Sequence, residues 1–143
     1  MNSIQELINQ RVSEYYWLHD FNCAVTTLLI LSEIMNLELN PQVLDAAVGM
    51  HGAGKYGAQC GLVEGSLMFI GLDGKRKGKS TASIVKDCCS FASQFEKQSG
   101  SLLCRELRPE GFKQDNPPHL CEKLTQRAVR FTFDFLSKTS QGD

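Results

Sequence analysis

The sequence predicts an all-α protein, a helix bundle of five to six helices in a single domain that spans residues 1–143. Apolar residues recur at three- and four-residue spacing in several segments, and polar helix-start residues precede those segments. No segment alternates between apolar and polar residues as a half-buried strand does. A chain of 143 residues with 42% hydrophobic residues is long enough to bury a core without disulfide bonds.

The predicted helices follow one another with short connections, which favours antiparallel packing of neighbours. Ile8, Val12 and Tyr16 lie four residues apart on the first helix, while Asn22 and Asn40 can cap the second and third. We predict helices at residues 3–18, 22–35, 41–48, 58–72, 81–98 and 118–136, with a short helical turn through residue 107. We expect loops at residues 49–57, 73–79 and 108–118, and a frayed tail at residues 137–143.

Composition argues against several classes of partner. The net charge is -1, so no overall positive field attracts nucleic acid or a membrane surface. The longest apolar run, residues 23–31, is too short to span a bilayer, and we expect no membrane insertion. The first residues carry no basic segment followed by an apolar one, so we predict no signal peptide and a cytoplasmic protein.

Four of the six cysteines lie near predicted helix starts. A helix start favours negative charge, because its first backbone N–H groups have no partner within the helix. The same setting lowers the pKa of a thiol and so favours the thiolate, which is the nucleophile and the metal ligand. We therefore predict that these residues converge on a pocket suited to thiolates or to an anionic iron–sulfur cluster: Cys23, Cys60, Cys104 and Cys121.

The remaining two cysteines, Cys88 and Cys89, lie inside a predicted helix. Neighbouring residues on a helix point about 100° apart, so the two cannot easily share a site. We interpret this pair as core packing. The chain has no C-x-x-C, so neither a thioredoxin-like motif nor a zinc knuckle is predicted, although four single ligands can still build a site.

The cysteine-bearing segments resemble a family of redox-active proteins that is named for the four-cysteine pattern C_GCAxxG_C_C. Its CGAxxG element is similar to residues 60–65, Cys-Gly-Leu-Val-Glu-Gly, in which Leu62 replaces the family's alanine. The other three family cysteines match Cys23, Cys104 and Cys121. The resemblance covers about residues 15–125, nearly the whole chain, and Cys88 and Cys89 have no place in the pattern.

The resemblance implies redox activity and association with oxidoreductases or transporters. A similar domain occurs in a multihaem cytochrome that also carries an iron–sulfur cluster, which favours a cluster here. We expect no haem, because the chain lacks C-x-x-C-H. The motif glycines, Gly61 and Gly65, would let another helix or a cofactor approach the backbone closely, and a glycine-rich face could also pair two copies as a homodimer.

The leading hypothesis is that the four cysteines bind an iron–sulfur cluster or exchange electrons as thiol and disulfide, as an oxidoreductase or an electron-transfer accessory. In the second case Cys60 is the predicted attacker, since the glycine loop would leave it accessible, with Cys23 beside it. His51 could reach the pocket below Cys60 or donate a proton. The alternatives are a structural zinc site with four thiolates and a non-catalytic interaction subunit of a larger redox or transport system.

Overall fold

A computed structural model describes residues 3–108, 111–113 and 115–141. Within these ranges the chain forms helices and loops, and its one β-type pairing is a single bridge. The helices are α1 (Ser3–Trp17), α2 (Cys23–Met35), α3 (Pro41–Ala46), α4 (Gly52–Lys55), α5 (Gly61–Arg76), α6 (Thr81–Ser99), α7 (Cys104–Leu107) and α8 (Glu122–Gln141). Five of these helices have 13 residues or more, so the predicted all-α bundle is confirmed, with three short helices in addition.

The bundle is built around α2, which is apolar on most of its surface and is buried from Ala24 to Leu28 and again at Leu31. It packs most extensively on α5. The helix α1 lies against α8, and α6 lies against α5. The close approach of α2 to α5 requires Gly65, because a Cβ atom there would lie 2.8 Å from the Ala24 carbonyl oxygen. The predicted use of Gly65 in close helix packing is therefore confirmed.

Buried hydroxyl groups tie α8 to its neighbours. Tyr16 on α1 and Thr125 on α8 share a hydrogen bond of 2.6 Å, and Ser66 on α5 and Thr132 on α8 share one of 2.8 Å. A buried hydroxyl that lacks a partner is costly, so these pairs favour one register of α8 against the bundle.

Three predicted helix boundaries are wrong, and the first is the start of α5, which lies at Gly61 and not at residue 58. Residues 73–76 were expected to be loop, but α5 continues through Arg76. Asp73 is only 3% exposed and forms ion pairs of 2.7 Å with Arg76 and 2.8 Å with Lys77, which stabilise this last helical turn. The last helix starts at Glu122 and not at residue 118, because His119 has a positive φ of 65° in the turn before it.

The tail also differs from the prediction, since α8 extends through Gln141. Residues 142 and 143 of the tail, and three residues of the predicted 108–118 loop (109, 110 and 114), lie outside the described part of the chain. None of the described helices is long and apolar enough to cross a membrane.

The predicted glycine loop contains one turn with a left-handed backbone. All four residues of α4 have a positive φ, from 56° at Ala53 to 69° at Lys55. Glycine adopts this region at little cost, but Ala53 and Lys55 carry a Cβ atom that crowds the backbone there. The glycine-rich sequence thus predicts the positive φ values correctly, and two non-glycine residues share the strain.

Candidate functional site

The four predicted cysteines come from four separate segments and line one cavity of about 390 Å³. This volume falls within the range of roughly 300–1,000 Å³ that small-molecule and cofactor sites occupy. As predicted, each cysteine lies at or beside the start of a helix, and the structure brings together Cys23, Cys60, Cys104 and Cys121. All four are free thiols.

Cys23 is the first residue of α2 and is held against the start of α5. Asn22 caps α2 by accepting a hydrogen bond of 2.8 Å from the Val25 N–H, which confirms the predicted cap. The Cys23 sulfur packs on Gly61, where an added Cβ atom would collide with it. Gly61 therefore sets the distance between the first and second cysteine segments.

Cys60 and Cys104 are linked by a short stretch of antiparallel backbone. A bridge between Gln59 and Leu103 joins the two segments. Beside it the N–H of each cysteine donates to a carbonyl of the other segment, at 2.8 Å from Cys60 and 2.7 Å from Cys104. Gly52 of the glycine loop also touches Cys104, since a Cβ atom on Gly52 would lie 3.1 Å from its sulfur. The second and third cysteines are thus positioned by backbone contacts.

Cys121 lies in the turn that leads into α8. Its carbonyl accepts hydrogen bonds from the Thr125 N–H at 2.7 Å and the Thr125 hydroxyl at 2.9 Å. The same turn is attached to α1 through His119, whose Nε2 lies 2.8 Å from Asp20 and whose ring stacks on Tyr16 at 4.4 Å. Through these contacts, His119 holds the Cys121 turn in place.

The thiols differ from the sequence prediction in their electrostatics. Burial raises the pKa of Cys60 to about 12, and its side chain is 5% exposed, so the expectation that the glycine loop leaves it accessible is wrong. Burial and the neighbouring Cys60 and Cys121 raise the pKa of Cys23 well above its ordinary value. Burial also raises the pKa of Cys121, although the positive charge of Arg108 opposes this. For these three thiols, loss of water outweighs the helix start.

His51 lines the cavity together with the cysteines, as predicted. The Asn22 amide group lies 3.1 Å from His51 Nδ1, while its carbonyl oxygen is already engaged in capping α2. The Asn22 nitrogen also donates to the carbonyl oxygens of Ala47 at 3.1 Å and Val48 at 2.9 Å, and because it cannot accept, its contact with Nδ1 favours a ring proton on Nε2. Burial and the charges of Lys55 and Arg108 lower the pKa of His51, which favours this neutral ring.

Two basic residues of the cavity wall were missed by the sequence analysis, namely Lys55 and Arg108. Lys55 ends the left-handed turn, and Arg108 follows α7 directly. Neither residue belongs to a motif in the sequence. Lys55 and Arg108 can be related to the cysteines only once the structure shows that the glycine loop and the residue after α7 line the same cavity.

The predicted residues outside the cavity have packing roles. Neither Gly61 nor Gly65 lines it; both accommodate α2, and their contact with a cofactor stays a prediction. Cys88 packs against the core as expected, whereas Cys89 is exposed, so the packing interpretation is wrong for Cys89. Among the described residues, no three His, Cys, Asp or Glu side chains lie close enough together to hold one metal ion.

Comparison with known proteins identifies the family. Residues 21–135 match the family described as "Putative redox-active protein (C_GCAxxG_C_C)", a range shifted slightly from the 15–125 of the resemblance. A relative in Archaeoglobus fulgidus, described as an uncharacterized protein, is 25% identical over 127 residues, which make up 80% of this chain and 84% of the relative. No solved structure matches the chain. Since the family match extends over most of the chain and includes all four cavity cysteines, the protein belongs to the C_GCAxxG_C_C family of redox-active proteins.

Proposed function

We propose that the protein is an electron-transfer protein in which the four cavity cysteines bind an iron–sulfur cluster. The observation that carries this proposal is the convergence of Cys23, Cys60, Cys104 and Cys121 on one cavity of about 390 Å³. Four cysteine thiolates are the usual ligand set of such clusters. A bound cluster would accept and release single electrons there.

The backbone around Cys60 supports the same proposal. The Cys60 side chain makes no capping hydrogen bond, but the backbone of Leu62 and Val63, in the first turn of α5, lowers the pKa of its thiol against the effect of burial. Hydrogen bonds to a ligand sulfur stabilise its negative charge and raise the reduction potential of a cluster. In this chain the start of α5 would therefore both hold Cys60 and tune the electron-transfer site.

The size of the cavity favours a cluster over a single zinc ion. In a tetrahedral zinc site each sulfur is about 2.3 Å from the metal, so the four sulfurs nearly touch one another. A cluster keeps its cysteine sulfurs further apart, because several iron and sulfide atoms lie between them. The four cysteines are among the residues that line a cavity of about 390 Å³, and no three of the described His, Cys, Asp or Glu side chains lie close enough for one metal ion, so the larger group suits this site better.

Thiol–disulfide exchange is the second candidate, because the backbone bridge between Gln59 and Leu103 keeps Cys60 and Cys104 close in the fold. Oxidation of the two thiols would form one S–S bond and give two protons and two electrons to a disulfide substrate, which is reduced to two thiols. The pKa of Cys60, raised to about 12, leaves very little attacking thiolate at neutral pH. We therefore rank this function below the cluster.

We propose an oxidoreductase as the electron partner. Val48 lines the cavity and is also 66% exposed, so apolar surface reaches from the cysteine site to the outside of the protein. Electron-transfer complexes are commonly small and transient, so this small patch is sufficient for such a contact.

Anaerobic purification with iron, zinc and acid-labile sulfide analysis tests the proposed function. Wild-type protein is expected to be brown and to contain iron and sulfide. Single serine substitutions at Cys23, Cys60, Cys104 and Cys121 should each lower the iron content several-fold. Cys89→Ser is the matched control, because Cys89 is exposed and outside the cavity, and it should retain the wild-type content.

The outcomes separate the candidate functions. Colourless wild-type protein without iron, even after reconstitution with iron and sulfide, would exclude the cluster. Zinc in place of iron, lost in the same four variants, would indicate the structural zinc site. Metal-free protein in which Cys60 and Cys104 oxidise reversibly to a disulfide would favour thiol exchange.

A further inference from the structure

The cysteine cavity also carries positive charge without a matching acid. Lys55 and Arg108 line it, and neither has an ion-pair partner among the described residues. Asp20 is the one acidic residue in the described cavity wall, and it pairs with His119 at 2.8 Å. Two cations therefore face the cavity with no carboxylate to neutralise them.

Arg108 has a buried donor that is not used. Its Nε atom is shielded from solvent and has no hydrogen-bond partner in the part of the chain that the structure describes, which is costly for a charged group. The central carbon of the guanidinium group lies 6.0 Å from the centroid of the Phe112 ring. An unpaired, buried donor at a cavity wall is an observation that points to a ligand oxygen.

His51 adds a third donor to the cavity wall. The contact with the Asn22 nitrogen favours a His51 proton on Nε2, and no partner for Nε2 is present among the described residues. Lys55, Arg108 and His51 all line this one cavity. Together they supply donors of the kind that hold an oxygen anion.

We propose that Lys55, Arg108 and His51 bind the carboxylate or phosphate group of a small anionic molecule beside the four cysteines. The anion bound at this site would be a substrate or a regulator of the redox centre. The binding itself does not depend on the nature of that centre, but the assignment of the anion as a redox substrate rests on the proposed function.

Binding of two probes to the full-length, anaerobically purified protein tests this inference. Isothermal titration calorimetry with inorganic phosphate and with succinate should detect binding of at least one probe, and the stronger probe identifies the anionic group. Lys55→Gln and Arg108→Gln should each weaken the binding about tenfold or more, as expected for the loss of one charge-assisted hydrogen bond. Lys55 is exposed, so Lys55→Gln keeps the test valid if Arg108→Gln unfolds the protein.

Arg127→Gln is the matched control, because Arg127 is an exposed arginine on α8 outside the cavity and the substitution removes the same charge. It should bind the probe like the wild type. Failure of wild-type protein to bind either probe, or equal weakening in all three variants, would overturn the inference. If Arg108→Gln instead changes only the reduction potential, the cation balances the thiolates and the anion site is refuted. Anion binding by a protein that holds no iron would refute the cluster and leave this inference standing.

Discussion

Gly61 controls the contact between the first two cysteines. A Cβ atom at this position would collide with the Cys23 sulfur and would lie 2.8 Å from the carbonyl oxygen of Met50. The sulfur can rotate away, but the oxygen of Met50 belongs to the backbone of the glycine loop and cannot. The requirement for glycine at position 61 therefore comes from the cysteine site and the neighbouring backbone together.

We expect Gly61→Ala to lower the free energy of unfolding by about 1–3 kcal/mol, the usual cost of overpacking a tight site. Gly71→Ala in the same helix is the control, because a Cβ atom there meets nothing within 4 Å. That substitution should stabilise the protein by about 0.5–1 kcal/mol, since alanine favours a helix over glycine. Urea denaturation measures both, and equal effects of the two substitutions would contradict the close contact at Gly61.

Sequence reasoning found the site residues that have local signals. The positions of Cys23 after the Asn22 cap and of Cys60 before a helix follow from neighbouring residues, so convergence at helix starts could be predicted. The burial of Cys60 could not, because it depends on backbone from the segment before Cys104. For the same reason the pKa of Cys60 was predicted to fall, whereas burial raises it to about 12.

At the scale of elements, the left-handed turn Gly52–Lys55 stores backbone strain beside the site. Ala53 is exposed and has a φ of 56°, a conformation that costs roughly 1–2 kcal/mol for a residue with a Cβ atom. Ala53→Gly should relieve this strain and raise the free energy of unfolding by about 1 kcal/mol, measured by urea denaturation. Ala92→Gly, within the regular helix α6, should lower it by about 1 kcal/mol. If both substitutions changed the free energy of unfolding in the same direction, the left-handed conformation of Ala53 would be contradicted.

Helix boundaries could be predicted where capping is local. Ser80 caps α6 by accepting from the Ser83 N–H at 3.1 Å, and Gly100 ends it with a φ of 92°, as the sequence indicates. The end of α5 could not be predicted, because the basic residues 75–79 look like a solvated loop. Their helical turn depends on the burial of Asp73, which no local pattern reveals.

At the scale of the whole molecule, apolar spacing predicted the long helices but not their arrangement around the cavity. The cavity wall combines the starts of α2 and α5, the glycine loop, α7 with the residue after it, and the turn before α8. These segments are far apart in sequence, so their meeting depends on how α2, α5 and α8 pack. Lys55 and Arg108 were missed for this reason, since nothing near them in the sequence relates them to a cysteine.

When no metal is bound, the buried thiols should make the whole molecule less stable as the pH rises into the alkaline range. The pKa of Cys60 rises from an ordinary 9.0 to about 12 on folding, so above pH 9 the unfolded chain loses this proton first. The free energy of unfolding should therefore fall between about pH 9 and pH 12, by up to about 1.4 kcal/mol per pH unit for this group. Urea denaturation of reduced, metal-free protein at pH 8 and pH 10.5 measures the loss, which should be smaller in Cys60→Ala. A cysteine that binds a metal has already lost its proton, so cluster-loaded protein should not show this pH-dependent loss of stability from Cys60. The same loss between pH 8 and pH 10.5 in metal-free wild type and in Cys60→Ala would contradict the prediction.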